Sequence, residues 1–140
     1  MLEIVYGTEP NLSAAEFIDC LKRSTLSERR PVDRPQIIEG MLRNAQIVLT
    51  ARNSAGLLVG VSRAITDYHF CTYLSDLAVD VEYQGAGMGR KLIQQTHELA
   101  GLETMLLLLA APSAETYYPL IGMTQHKSAW YLPRATIQGV

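Results

Sequence analysis

"EYQGAGMGRKL", residues 82–92, puts glycine at 85, 87 and 89 and then runs straight into Arg90-Lys91-Leu92. Three alternating glycines weaken a strand and a helix alike, because glycine loses more backbone freedom on folding than any other residue. The stretch before them, "FCTYLSDLAV" from Phe70, is apolar and strand-like. After them Met88, Leu92, Ile93, Thr96, Leu99 and Ala100 recur on one face of a helix. Strand, glycine loop and helix in that order offer backbone N–H groups to an anion. The first amides of a helix lack internal partners and lie at the positive end of its dipole. Bare glycines permit positive φ and let a phosphate come close without meeting a Cβ. The segment therefore predicts a phosphate cradle.

Outward from the cradle, the pattern predicts a mixed α/β sheet in a single domain covering residues 1–140. Leu2, Ile4 and Tyr6 alternate into a first strand that stops at Gly7. Ser13 with Glu16 is a capping-box pattern, and Phe17, Ile18 and Leu21 carry a helix over about residues 14–24. Asp33 with Gln36 can cap a second helix on Ile37, Ile38, Met41 and Leu42. "QIVLTAR", "LLVGVSRAI" and "FCTYLSDLAV", separated by "NSAG" and "TDYH", predict an antiparallel meander. Past Gly101, "ETMLLLLAA" is apolar on both faces and predicts a strand in the middle of the sheet, ended by Pro112. Ser113 can cap a short helix over about 114–120, with two short strands around Met123 and Trp130 closing the fold.

The chain has 140 residues, 48% apolar and 19% charged, enough for a core without staples. Its net charge of −2 and lack of a basic tract argue against a nucleic-acid partner. No run approaches the ~20 apolar residues of a membrane span, and the N-terminal stretch has no signal-peptide pattern, so a cytoplasmic location is expected. Cys20 and Cys71 have no partner at metal spacing and read as buried free thiols. His69, His97 and His126 likewise lack metal-ligand spacing, and no metal is expected.

A Walker loop needs Gly-Lys followed by Ser or Thr, and here Gly89 precedes Arg90-Lys91-Leu92. A dinucleotide fingerprint begun at Gly85 and Gly87 would place its third glycine at Arg90, and the preceding meander is not a βαβ unit. The NAD reading is weak on these grounds. The pattern that fits is Q/R-x-x-G-x-G/A on Gln84, Gly87 and Gly89, after an "LAV" strand and before an amphipathic helix.

This pattern resembles the acyl-CoA-binding motif of the GNAT superfamily of N-acetyltransferases, and the order of elements is similar along nearly the whole chain. The resemblance implies a central mixed sheet of about six to seven strands flanked by about four helices. It implies acetyl-CoA as cosubstrate, with Gln84, Gly85, Ala86, Gly87, Met88, Gly89 and Arg90 at its pyrophosphate and Leu77, Ala78 and Val79 along its pantetheine arm. "SAETYYPLIGM" is similar to the family's A-x-x-x-Y-x-x-x-G stretch on Ala114, Tyr118 and Gly122. That implies Tyr118 as the general acid, a phenol able to donate to sulfur while protonated at neutral pH; Tyr117 takes the role if the helix shifts by one residue.

The family's base positions fall at Tyr73 and Ser75, neither a strong base, which leaves a path through ordered water. Asp76 would share their face only if the strand bulges. Ala111 stands where many relatives carry an asparagine. Arg29, Arg30 and Arg34 could meet an anionic group on an acceptor, but the commoner arrangement is a solvated loop paired with Asp33 and Glu28. The implied activity is N-acetyl transfer from acetyl-CoA to a small-molecule or protein amine by direct attack. The rival from another class is a non-catalytic acyl-CoA-binding or sensing module. The C-terminal Trp130 and Tyr131 could support a homodimer.

Overall fold

The computed structural model describes residues 3–114 and 116–135, without the Ser113 side chain. It separates into two compact units, Met1–Leu108 and Leu109–Val140.

The first unit holds a five-stranded sheet in the order β1-β2-β3-β4-β5, with β1 Val5–Thr8, β2 Ile47–Arg52, β3 Leu58–Thr66, β4 Cys71–Val79 and β5 Met105–Leu108. The first four strands are antiparallel to their neighbours, and β5 runs parallel to β4. Leu2, proposed for the first strand, lies outside the described residues. The β3–β4 turn is closed by Asp67, whose Oδ1 accepts from the N–H groups of His69, Phe70 and Cys71. Those bonds, Phe70 foremost, lower the Asp67 carboxyl to about 2.

Helices cover both faces. Helix α1, Ala14–Ser24, begins where Ser13 Oγ accepts from Glu16 N at 3.1 Å and ends on Thr25 in the left-handed region. Helix α2, Pro35–Arg43, is started by Pro35 in its first turn, with no side-chain cap on Arg34. The proposed Asp33 cap is therefore not the one used; the proline's pre-set φ begins the helix instead. Phe17, Cys20, Leu21, Ile38 and Leu42 pack with Val48, Val61 and Ala78 on one face of the sheet. Burial pushes the Cys20 thiol up to about 12, so it is an inert core group. Cys71, in contrast to the sequence expectation, is exposed.

Helix α3, Met88–Ala100, lies on the opposite face. Met88, Leu92, Ile93, Thr96 and Ala100 are buried as the periodicity requires, while Leu99 is exposed. Thr96 Oγ1 and Ser62 Oγ share a buried hydrogen bond of 2.7 Å, and His97 Nε2 reaches Thr104 O at 2.7 Å. Gly60 on β3 sets how closely α3 can approach. A Cβ there would stand 2.8 Å from Met88 Sδ, 3.2 Å from Leu92 Cδ1 and 3.3 Å from Ala51 Cβ. Gly60→Val is expected to cost about 1–3 kcal/mol by overpacking, measured by urea denaturation; a cost near zero would mean that the start of α3 is free to shift.

β5 departs from the expectation of a central strand. Among the described residues it is the edge strand, and Met105 and Leu107 are exposed. The second unit holds a 3-10 turn at Pro112–Ala114 and a short helix, α4, Tyr117–Leu120. Among the described residues no strand forms around Met123 or Trp130, so the sheet has five strands rather than six or seven. None of the described helices is long and apolar enough to cross a membrane.

Candidate active site

The glycine loop links β4 to α3 as the sequence predicts. Gly85 and Gly87 take φ of +86° and +84°, a region that side chains strain to enter. A Cβ built on either meets no atom within 4 Å, so their bareness keeps a space open rather than avoiding a clash. Gly89 differs, since it lies inside the first turn of α3. Lys91 N–H closes the first helical turn onto Gly87 O at 3.1 Å, so the amides of Met88, Gly89 and Arg90 start the helix without α-helical partners. No acidic side chain occupies that first turn. The donors, the open space and the dipole all fit an anionic diphosphate. Met88 itself turns inward beneath Gly60, leaving its backbone for the loop.

The loop is anchored at its start. Gln84 Nε2 donates to Val79 O at 3.0 Å, tying the motif glutamine back to the end of β4. Asp80 N–H donates to Val59 O at 2.8 Å, and Asp80 Oδ1 caps the 3-10 turn Val81–Tyr83 by accepting from Glu82 N at 2.9 Å. Tyr83 Oη accepts from Asn53 Nδ2 at 3.1 Å. The shallow groove lined by Gly7, Thr8, Leu49, Gln95, Glu98 and Leu99 includes none of these residues.

β4 carries a bulge. Arg63 pairs with Asp76 but Ala64 pairs with Leu74, so Ser75 is the extra residue. The bulge resets the alternation, and Tyr73, opposite Ile65, lies on the same face as Asp76, opposite Arg63. Val61 and Ala78 identify that face as the one under α1 and α2. β5 accompanies β4 only as far as the pair Leu74↔Leu108. Ser75–Val79 therefore have no strand on that side among the described residues.

Asp76 reaches Tyr73's face but is already engaged. It is fully buried, one oxygen accepting from Arg30 Nε and the other from Arg63 Nε. Arg30 also donates to Ser75 O at 2.7 Å, and Arg63 to Ser75 Oγ at 2.9 Å. Arg30 is thus not a solvated residue pairing with Asp33 or Glu28, as the loop's composition implied. It crosses to a strand 46 positions away, a contact no local pattern can reveal.

Tyr118 lies in the second unit, on α4, with its ring edge against Tyr117 at a centroid separation of 5.2 Å. Its carbonyl accepts from Ile121 N and Met123 N, and Gly122 follows with φ of +90°. Burial first, and then the neighbouring Tyr117, raise the Tyr118 phenol above the usual 10.0. The structure brings Tyr73, Ser75, Leu77, Ala78, Val79 and the loop residues together within the first unit.

The family described as "Acetyltransferase (GNAT) domain" matches residues 44–122. A curated relative, "Uncharacterized N-acetyltransferase ycf52" of Pyropia yezoensis, is 27% identical over 117 residues, covering 76% of this chain. The chain spans 64% of that relative's length. Among solved structures, a GNAT-family acetyltransferase of Streptococcus pneumoniae TIGR4 superposes with a TM-score of 0.75 at 15% identity, over 95% of this chain and 100% of that one. The GNAT-family N-acetyltransferase YhbS of Escherichia coli, solved in complex with CoA, gives 0.67 at 19% identity, over 87% and 69%. These likenesses show a shared fold. The family match runs from the end of α2 through the whole meander, the glycine loop, α3, β5 and α4, and on that ground the chain belongs to the GNAT acetyltransferase family.

Proposed function

We propose that residues 1–140 form one N-acetyltransferase domain that moves an acetyl group from acetyl-CoA to a primary amine by direct attack within a ternary complex. One observation carries this reading. β4 runs on from Ser75 to Val79 without its β5 neighbour and leads directly into a loop with two bare left-handed glycines and a helix N-terminus. An extended amide-bearing arm can pair along Leu77–Val79, and the diphosphate that follows it can meet the amides of Gly85–Arg90. The E. coli relative solved with CoA is consistent with that ligand class.

In the reaction the amine nitrogen forms a bond to the thioester carbonyl carbon and the C–S bond breaks. The departing thiolate takes a proton from the Tyr118 hydroxyl. The proton lost by the amine leaves through water ordered by Tyr73 and Ser75, Asp76 being occupied by its two arginines. Since the Tyr118 phenol is raised, it stays protonated beyond the ordinary tyrosine range, and the alkaline limb of kcat lies correspondingly high.

Tyr118→Phe is expected to keep acetyl-CoA affinity and to lower turnover at least ~100-fold, as loss of a general acid does. The parent and variant are compared by calorimetric titration and by thiol release across an amine panel. Unchanged turnover in the variant removes Tyr118 as the acid. The sensing reading draws on the same clamped Asp76, which leaves no free carboxylate on Tyr73's part of β4; binding by the parent with no turnover of any amine would favour it. Stabilisation by NAD but not by acetyl-CoA would overturn both.

A further inference from the structure

Arg23, which no sequence pattern marked, ends α1 and joins it to the root of the glycine loop. Its Nη1 donates to Asp80 Oδ2 at 2.6 Å, its Nη2 donates to Leu58 O at 2.7 Å, and Asp19 holds the outer side of the same guanidinium at 2.9–3.0 Å. Asp80 is nearly fully buried, and its remaining oxygen caps the turn that leads into Gln84. One carboxylate thus receives both the helix on the α1 face and the amide that starts the loop. Leu58 and Val59 flank the same point on β3, Val59 O accepting from Asp80 N. With no β5 residue beside this end of β4, the guanidinium supplies a lateral restraint that strand pairing does not.

We infer that Arg23 is a positioning residue for the pyrophosphate loop, acting through Asp80 to set the direction in which Gln84–Gly87 leave the sheet; the inference rests on the acetyl-CoA reading above. Arg23 hydrogen-bonds Asp19, Asp80 and Leu58 rather than a loop glycine, so its effect falls on the geometry of the loop amides. A charged, hydrogen-bonded pair at a buried carboxylate is strong enough to hold that geometry, and small misplacements of binding groups are costly.

The test compares acetyl-CoA with S-acetylpantetheine, which has the arm and thioester but no pyrophosphate, in the parent, Arg23→Ala and Arg23→Lys. The Ala variant is expected to bind acetyl-CoA about tenfold more weakly, with kcat at saturation and kcat/KM for S-acetylpantetheine held near parental values. Lysine, which keeps the charge toward Asp80 but not the fork, is expected to recover part of the loss. If the Ala variant does not fold, Arg23→Gln takes its place. Equal losses for the two donors, or parental acetyl-CoA affinity in a folded variant, overturn the positioning role alone. Failure of the parent to bind acetyl-CoA overturns the acetyl-CoA reading and this inference with it.

Discussion

Replacing Gly87 with valine is expected to abolish acetyl-CoA binding in a protein that still folds. Gly87 sits at φ +84°, a conformation that a β-branched side chain adopts only under strain of about 1–3 kcal/mol. A typical domain has about 5–15 kcal/mol of stability, so that cost alone does not unfold it. The new Cβ meets no protein atom within 4 Å, so the core is undisturbed. It enters instead the open space above the first amides of α3. Gly87→Asn separates the two effects, because asparagine enters the left-handed region more readily yet still fills the space. Calorimetric titration with acetyl-CoA and a thermal melt together read both variants. Loss of binding in each, with a melting shift mainly in the valine protein, is the expected pattern; parental affinity in the valine protein would remove the cradle.

The largest stability effect is expected at Asp76. Asp76→Ala leaves the partly buried Arg30 and the buried Arg63 without the carboxylate they share. Removing one partner from a buried ionic cluster costs about 3–5 kcal/mol, chiefly because the remaining charge stays desolvated and unpaired. For a chain of this length that lowers the melting temperature by roughly 10–20 °C. Joint replacement, Asp76→Leu with Arg63→Leu, is expected to be less damaging than Asp76→Leu alone, since it removes a stranded charge as well as a bond. A loss below about 1 kcal/mol in the Ala variant would show the cluster to be hydrated rather than buried.

Asp76 also shows where reading along the chain stops. Its position beside Tyr73 and Ser75 was visible, and so was the condition under which it would share their face. Whether β4 bulges depends on its pairing with β3, and what Asp76 then meets depends on Arg30 and Arg63, 46 and 13 residues away. The same holds for Arg23 and Asp80, 57 residues apart, and for Gly60, whose missing Cβ matters only because α3 crosses there. β5 failed differently. Seven apolar residues in a row, 105–111, satisfy the pattern of a buried central strand, yet periodicity cannot say whether a further strand will pair with the outer edge.

The sequence by itself determined the meander, the strand-to-loop-to-helix passage and the left-handed backbone of Gly85 and Gly87. Those features depend on interactions within a few residues: capping, alternation, helical spacing and the φ values open to glycine. The tertiary structure alone decided which carboxylates are clamped, which face Asp76 occupies and which arginine bonds Asp80. Charged side chains find partners by proximity in space, and burial makes those partners obligatory, whatever their separation along the chain.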